Sequence, residues 1–375
     1  MTVDSASKTR FPQIDAAGSP REIGRAIGEA TRDTFPPLID HVMFRMNQRR
    51  DVPITRERAL EAAGRFFAPV EAYSVDSLEE LRGTAEGANV TPEEVMLINA
   101  RSEVPHLLAG QRSNPSALEG CTTIAIEKER ASNNVGAIGQ NWDNDAGMSP
   151  FSYVITRRPT GKPAFMSWSQ AGIIAYMGFS EAGIGVAMNA LPGGKRSPHL
   201  PPGLPWYFTV RGVYEATDLD GVIAAVERST RARSGNLGLV TPQGPADIEA
   251  TPETFRLVNA DSDGVMVHTN HCVHPDLLDV NDTHADELYG QTFDRKARAH
   301  ALLDERTADI SVDDIKAILS DHDGRPTSIC RHPNDHPTSG ADRSVVSIIV
   351  EPEAGRMHLT RGNPCENPYE VYELA

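Results

Sequence analysis

The sequence is poor in cysteine, in aromatic residues and in long apolar runs. Four cysteines in 375 residues are too few for the disulfide framework of a small secreted domain. No run approaches the ~18 apolar residues of a membrane-spanning helix, and no apolar segment follows residues 1–10 as it would in a signal peptide. These absences favour a cytoplasmic globular protein with reduced thiols.

Positive charge is also scarce. Lys and Arg number 36 against 52 Asp and Glu, which gives a formal net charge of -16. An acidic surface argues against nucleic acid or an anionic membrane as a partner. With 39% hydrophobic residues, the chain can bury a sizeable core, either as one large domain or as two ordinary ones.

The apolar pattern changes from helical to strand-like about one third of the way along the chain. Before this point, cap signatures at 19–22 and 91–94 each open a helix, and another helix is predicted over 55–72. From residue 122 onward, short segments alternate with the two-residue period of strands, beginning with 122–127 and 135–142. This order predicts a layered α+β domain with antiparallel sheets.

The change of period falls on residues 119–123, Glu-Gly-Cys-Thr-Thr, which follow a polar loop over 110–116. An α-amino group is a base with a pKa of about 7.7–8.0, so an N-terminal cysteine carries nucleophile and base on one residue. Gly120 tolerates the strained backbone that would ease attack on its carbonyl. We therefore predict self-cleavage between Gly120 and Cys121; the alternative is a buried, inert thiol.

Two polar runs contain candidate partners of Cys121. If the first two strands form a hairpin, Asp143 returns to the end where Cys121 begins and could hold its α-ammonium; the alternative is a self-capped turn. Residues 268–274, His-Thr-Asn-His-Cys-Val-His, leave three interpretations open. These are a metal site through the histidines and Cys272, a papain-like Cys121–His268 pair, and Asn270 as an oxyanion donor.

Arg331 and Arg343 are candidates for binding a substrate carboxylate, because a guanidinium can donate two parallel hydrogen bonds to it. The alternative for each is an ordinary ion pair at the surface. The spacing of the histidines matches no standard zinc pattern, so we predict no metal.

Taken together, the motifs at 119–123, 139–143, 268–272 and 328–331 resemble the isopenicillin-N acyltransferase family of N-terminal nucleophile (Ntn) hydrolases in content and order. The resemblance implies a four-layer αββα sandwich with two antiparallel sheets. It implies an α-chain, 1–120, and a β-chain, 121–375, that stay associated after cleavage. Cys121 would be the nucleophile with its own amine as base, Asp143 the catalytic aspartate and Asn270 the oxyanion-hole asparagine.

The expected function is cleavage of a linear amide through a Cys121 thioester, with the acyl group passed to water or to an amine. The alternatives are an acyl-CoA-dependent N-acyltransferase acting on a β-lactam-like or amino-acid-derived amine, and an uncleaved binding protein. No cofactor is expected, and the sequence leaves open whether copies of the chain associate.

The expected substrate-binding residues are Trp142, His268, Arg331 and Arg343, with the loops 201–205 and 281–292 as pocket edges. The chain departs from the family at one position. Ala341 stands where the fungal acyltransferase has a functional arginine, and Arg343 lies two residues away.

Overall fold

Two β-sheets form the centre of the structure, a computed structural model that describes residues 9–48, 50–109, 120–192, 202–283, 290–335 and 340–375. The strands are β1 (Gln13–Gly18), β2 (Gly120–Ile126), β3 (Ala137–Asp145), β4 (Ser152–Pro159), β5 (Phe165–Gln170), β6 (Gly178–Ser180), β7 (Gly185–Ala190), β8 (Gly235–Thr241), β9 (Gly244–Ala250), β10 (Phe255–Asn259), β11 (Val265–His268), β12 (Asp342–Glu351), β13 (Arg356–Arg361) and β14 (Glu370–Glu373). Within these residues, the first sheet has the order β1-β4-β5-β6-β7-β8-β9-β10 and the second the order β11-β2-β3-β12-β13-β14.

Helices cover the outer faces of both sheets. They are α1 (Pro20–Thr31), α2 (Phe35–Asn47), α3 (Arg56–Gly64), α4 (Phe67–Tyr73), α5 (Val75–Ala88), α6 (Pro92–Asn99), α7 (Glu103–Ala109), α8 (Trp206–Val213), α9 (Leu219–Glu227), α10 (Gln291–Asp304) and α11 (Val312–Leu319). The pair α1 and α5 covers the first sheet through β1 and β4, whereas α10 and α11 pack on the second. The sheets face each other through β2 and β3 against β7 and β8. The four-layer αββα sandwich is therefore confirmed.

One strand pair departs from the expected antiparallel sheets. β1 pairs in parallel with β4, with Gln13 opposite Val154 and Gly18 opposite Pro159. The expectation of two purely antiparallel sheets is wrong at this edge. β1 was not predicted because its sequence, QIDAAG, has a single β-branched residue, Ile14, and no clear alternation.

The helices α1 and α5 pack so closely that their contact requires glycine. A Cβ on Gly24 would overlap the backbone of Glu80, and a Cβ on Gly83 would overlap the backbone of Arg21. α1 begins with the predicted capping box. α5 was not predicted, because small residues rather than a continuous apolar stripe make its contact face. The helix predicted over 55–72 is divided into α3 and α4.

The apolar core has two main parts, one on each side of the second sheet. The larger fills the space between the sheets, where Trp142 and Trp168 meet edge to face with ring centroids 5.3 Å apart. The smaller lies between the second sheet and the helices α10 and α11. Every residue of β2 is buried as a result. Among the described residues, no helix is long and apolar enough to cross a membrane.

Candidate active site

The first two strands of the second sheet bring Cys121 and Asp143 to the same end. β2 and β3 pair antiparallel, with Gly120 opposite Asp143 and Cys121 opposite Trp142, so the expected hairpin is confirmed. Cys121 is 1% exposed and Asp143 is completely buried. These residues lie on paired backbone rather than on a loop. Residues 110–119, which include the predicted polar loop, lie outside the described residues.

Asn270 contacts Cys121 directly. Its Oδ1 accepts a hydrogen bond of 2.9 Å from the Cys121 N–H. Its Nδ2 donates to the Ala190 carbonyl at 3.1 Å, and its backbone N–H donates to Thr292 Oγ1 at 2.7 Å. Since the oxygen faces donors and the nitrogen faces a carbonyl, these contacts determine the orientation of the side-chain amide. The amide nitrogen is directed toward Ala190, at the end of β7.

Arg295, on α10, connects Cys121 to Asn270. Its Nη1 donates to the Cys121 carbonyl at 2.5 Å and to Thr122 Oγ1 at 2.8 Å, and its Nη2 donates to Asn270 Oδ1 at 2.8 Å. Burial, followed by repulsion from Arg331, lowers the pKa of Arg295 to about 10. The guanidinium therefore keeps its charge at neutral pH beside the Cys121 thiol.

Arg295 was not among the residues predicted from the sequence. The available signal was its position within the helical period of α10. Arg295 lies four and eight residues before the buried residues Ala299 and Leu303, so it shares their face. A charged residue on the core side of an amphipathic helix is unusual unless it has a partner.

Asp143 lies close to a second buried arginine. Ser344 Oγ donates to Asp143 Oδ1 at 2.7 Å, whereas Oδ2 lies 4.0 Å from Arg331 Nε and has no hydrogen-bond partner in the described part of the chain. Burial raises the pKa of Asp143, against the lowering effect of the charges on Arg331 and Arg295. The carboxylate and the Arg331 guanidinium are adjacent without being hydrogen-bonded to each other.

The space around Gly120 explains why this position is glycine. A Cβ on Gly120 would lie 2.7 Å from Asp143 Oδ2 and 3.2 Å from Arg331 Nη1. Gly120 is not among the described glycines with a positive φ. The requirement is therefore close approach of Asp143 and Arg331, and not the left-handed backbone that only glycine adopts easily.

His268 lies in a separate buried ionic cluster. Its Nε2 is 2.8 Å from Glu249 Oε1 and 4.0 Å from Asp247, and its Nδ1 is 2.9 Å from the Thr269 carbonyl. Burial lowers the pKa of His268, but the carboxylates of Asp247 and Glu249 raise it by more, so the net shift is upward. Burial also raises the pKa of Asp247 to about 6. Both ring nitrogens of His268 are engaged by groups other than Cys121, so the papain-like pair is not formed.

The other predicted binding residues are divided between two places. Arg343 Nη2 lies 3.7 Å from Glu366 Oε2, whereas Arg331 is the predicted arginine beside Asp143. Trp142 is buried next to the Cys121 backbone, and its ring contacts Tyr176 with centroids 5.9 Å apart. Trp142 is directly opposite Cys121 in the hairpin, so the two side chains lie on the same face of the second sheet.

A cleft borders the site at Ala190, whose carbonyl holds Asn270. Its lining includes Glu103, Tyr176, Tyr207 and Arg233. Trp206 and Tyr207 line it directly after the loop 201–205, of which residue 201 lies outside the described residues. The other expected edge, 281–292, contacts Asn270 through Thr292, and its residues 284–289 lie outside the described residues.

The histidines of 268–274 do not form a metal site together with Cys272. Within the described ranges, ligand atoms converge in two groups. One is His268 with Asp247 and Glu249, the ionic cluster above. The other is His322, Cys330, His332 and Cys365, none of which belongs to the run 268–274. The interpretation of 268–274 as a metal-binding run is therefore wrong.

The sequence profile of the family described as acyl-coenzyme A:6-aminopenicillanic acid acyl-transferase matches residues 130–366, more than half of the chain. The chain belongs to this family. A relative from Emericella nidulans, the 40 kDa form of acyl-coenzyme A:6-aminopenicillanic-acid-acyltransferase, is 27% identical over 376 residues and covers 96% of this chain and 95% of its own. The resemblance inferred from the four motifs is thus confirmed.

Two solved structures show a weaker similarity to this family member. Conjugated bile acid hydrolase from Clostridium perfringens has a TM-score of 0.46 at 14% identity, over 68% of this chain and 97% of its own. Penicillin V acylase from Agrobacterium tumefaciens has a TM-score of 0.42 at 14% identity, over 64% of this chain and 82% of its own. Both TM-scores lie below 0.5, so these similarities add nothing to the family assignment.

Proposed function

We propose that the chain is a self-processing N-terminal nucleophile enzyme that cleaves a linear amide through a thioester on Cys121. The observation that carries the proposal is the contact between the Cys121 N–H and Asn270 Oδ1, 2.9 Å long and buried, in a member of an acyltransferase family. This nitrogen becomes the α-amine after cleavage at Gly120. The group that would act as base is therefore already oriented in the uncleaved chain.

In the processing step, the Cys121 thiol attacks the Gly120 carbonyl carbon, and the bond between that carbon and the Cys121 nitrogen breaks. The thiol proton passes to that nitrogen, which becomes the α-amine. Water then hydrolyses the resulting thioester between Gly120 and Cys121, which yields the proposed chains 1–120 and 121–375. Arg295 supports this step because it holds the Cys121 carbonyl and Asn270 at once. Asp143 Oδ2, which crowds Gly120 and has no described hydrogen-bond partner, is suited to receive the new α-ammonium.

In turnover, the α-amine of Cys121 accepts the thiol proton and the thiolate attacks the substrate carbonyl. The amide bond then breaks, the leaving amine takes its proton from the Cys121 ammonium, and the acyl group remains as a thioester. The side-chain amide nitrogen of Asn270 has two N–H bonds. One donates to the Ala190 carbonyl, so the other can donate to the oxyanion of the substrate. One such donor contributes about 2.7–4 kcal/mol to an acyl-transfer transition state.

The substrate is proposed to enter along the cleft that ends at Ala190. Tyr176 and Tyr207 supply aromatic surface for an apolar group, whereas Glu103 and Arg233 supply opposite charges for a polar one. Burial raises the pKa of Glu103, which is consistent with a carboxyl group held away from water. Arg331 is the remaining candidate for a substrate carboxylate, because its Nε and Nη2 have no hydrogen-bond partner among the described residues.

The two chains are proposed to remain associated after cleavage, since strands from both sides of residue 120 share the first sheet. The proposed location is the cytoplasm, and the proposal is supported by the four cysteines, which form no disulfide. The acceptor of the acyl group is proposed to be water. The alternative, an acyl-CoA donor with an amine acceptor, is favoured by the names of the family and of the fungal relative.

Intact mass of the purified wild-type protein, with Cys121→Ala as the matched variant, tests the proposal. Two fragments that separate after Gly120 in the wild type alone, together with amidase activity lost in Cys121→Ala, are the expected result. A chain that stays intact after prolonged incubation in both proteins would exclude the self-processing mechanism. Adding an amine acceptor with an acyl-CoA donor separates the two candidates: N-acylation without amide hydrolysis would identify the transferase.

A further inference from the structure

We propose that His322, Cys330, His332 and Cys365 form a structural zinc site. The four residues come from two separate loops: His322, Cys330 and His332 from the connection between α11 and β12, and Cys365 from the connection between β13 and β14. One ligand atom from each residue lies within 4.8 Å of the others. The site would take Zn²⁺ as a Cys₂His₂ centre and would tie these two loops together beside the second sheet.

The distances between the ligand atoms match a tetrahedron around zinc. With Zn–S near 2.3 Å and Zn–N near 2.0–2.1 Å, tetrahedral ligands should be separated by about 3.8 Å for S···S, about 3.3 Å for N···N and about 3.6 Å for S···N. The Sγ atoms of Cys330 and Cys365 are 3.6 Å apart, and the Nε2 atoms of His322 and His332 are 3.1 Å apart. His332 Nε2 lies 3.6 Å from Cys330 Sγ and 3.3 Å from Cys365 Sγ.

The same geometry is hard to explain without a cation. A disulfide requires an S–S distance of about 2.03–2.05 Å, far below the 3.6 Å between Cys330 and Cys365. His332 Nε2 alone is 3.1–3.6 Å from the other three ligand atoms, whereas one imidazole nitrogen can donate or accept only one hydrogen bond. A tetrahedral set of two sulfurs and two nitrogens is the arrangement that selects Zn²⁺ among the common divalent metals.

Groups around the cluster support the ligands in the way that metal sites require. His332 presents Nδ1 toward Glu366 at 3.6 Å, which leaves Nε2 directed at the cluster. Asn363 Nδ2 lies 3.4 Å from Cys330 Sγ, so it can donate to a thiolate. Arg343, which the sequence suggested for substrate binding, lies 3.7 Å from Glu366. These residues surround the cluster rather than the Cys121 thiol.

The proposed ion would also hold Arg331 in place. Arg331 lies between the two ligands Cys330 and His332, and its carbonyl accepts a hydrogen bond of 2.6 Å from Asn363. Its N–H donates to Ser344 Oγ at 3.0 Å, and Ser344 in turn donates to Asp143. The zinc site therefore anchors the loop that brings a guanidinium to the candidate active site. It would act on backbone position and not on the reacting atoms.

The ligands of this site do not follow a local motif, so no spacing pattern in the sequence predicts it. Cys330 and His332 are separated by one residue, His322 lies earlier in the same loop, and Cys365 follows after two strands. The expectation that the chain binds no metal rested on the spacing of the histidines at 268–274, which matches no standard zinc pattern. We replace that expectation with the zinc proposal.

Zinc content of the full-length protein tests the proposal. Elemental analysis by plasma mass spectrometry after gel filtration in metal-free buffer should find one zinc ion per chain. Cys365→Ser and His322→Gln, which remove the more exposed ligands, should release the ion at chelator concentrations that leave the wild type loaded. Cys272→Ser and His274→Gln are the matched controls and should keep it, because neither residue belongs to the cluster.

A second measurement does not depend on the variants folding. Protein produced with Co²⁺ in place of Zn²⁺ should show the visible absorption of tetrahedral cobalt together with a sulfur-to-metal charge-transfer band. Wild-type protein without stoichiometric zinc would overturn the proposal, as would a mass lower by two hydrogens, which would indicate a Cys330–Cys365 disulfide. A stoichiometric metal other than zinc, or loss of zinc from the control variants, would equally contradict the assignment.

Discussion

Replacing Arg295 with lysine tests whether one buried guanidinium organises the candidate active site. The side chain makes three hydrogen bonds of 2.5–2.8 Å to Cys121, Thr122 and Asn270. Lysine keeps the charge but cannot span these acceptors, so at least two bonds should be lost. At about 1.5–3 kcal/mol for a hydrogen bond to a charged group, the expected loss in unfolding free energy is about 3–5 kcal/mol.

Arg21→Lys is the matched control, because Arg21 also makes three hydrogen bonds, to Glu79 and Glu86, but is 48% exposed. Water screens exposed ion pairs and they contribute little to stability, so this variant should be nearly neutral. Urea unfolding should be measured in the Cys121→Ala background, where the chain stays intact. The difference between the two variants then reports the effect of burial.

The same substitution should slow self-cleavage. Loss of Arg295 releases both the Cys121 carbonyl and Asn270, and displacement of reacting groups by about 1 Å can lower a rate roughly 100-fold. The measurement is the rate of fragment formation by intact mass, with Cys121 present. Cleavage at the wild-type rate, together with a stability loss no greater than that of Arg21→Lys, would refute the role assigned to Arg295.

Three further variants test other parts of the structure. Gly120→Ala should slow cleavage about 5- to 150-fold, because its Cβ would lie 2.7 Å from Asp143 Oδ2 and overpacking costs roughly 1–3 kcal/mol. Glu80→Ala should lower the free energy of unfolding, measured with urea, by about 3–5 kcal/mol, because it leaves the buried Arg157 without its 2.7 Å partner. In His271→Gln, the free energy of unfolding should fall less steeply in acid than it does in the wild type. Burial lowers the pKa of His271 to about 3, so the unfolded chain gains a proton below pH ~6.5 while the folded chain does not.

For His271, stability is therefore fully present above pH ~6.5 and falls as the pH approaches 3, by roughly 1.4 kcal/mol per pH unit. Each variant has a matched control. His274→Gln is the control for the pH slope of His271→Gln, and Glu79→Ala, at the surface, is the control for Glu80→Ala. Gly64→Ala is the control for Gly120→Ala, because a Cβ on Gly64 meets nothing within 4 Å. Equal effects in a variant and its control would contradict the corresponding explanation.

The sequence predicted the parts of the site that lie on strands. The alternation of β2 and β3 implied a hairpin, and a hairpin of that register places Asp143 opposite Gly120. The order of four short motifs then identified the family. These features are local, because each is contained in a few consecutive residues whose period or order can be read directly.

What the sequence could not predict depends on contacts between distant segments. Arg295 reaches Cys121 from a helix 174 residues further along the chain, and no local pattern states which buried arginine does so. β1 was missed because its pairing with β4 comes from tertiary packing rather than from its own propensity. His268 was assigned to binding because its carboxylate partners, Asp247 and Glu249, lie on another strand.

The parallel pairing of β1 with β4 changes what cleavage at residue 120 would mean for stability. Strand β1 contributes six residue pairs to a sheet otherwise built from the second part of the chain, and the Phe11 N–H donates to the Tyr372 hydroxyl at 2.7 Å. Fragments joined in this way could not separate without loss of the sheet edge. After processing, unfolding would become a dissociation into two molecules, so the melting temperature would rise with protein concentration. The uncleaved Cys121→Ala chain would show no such dependence.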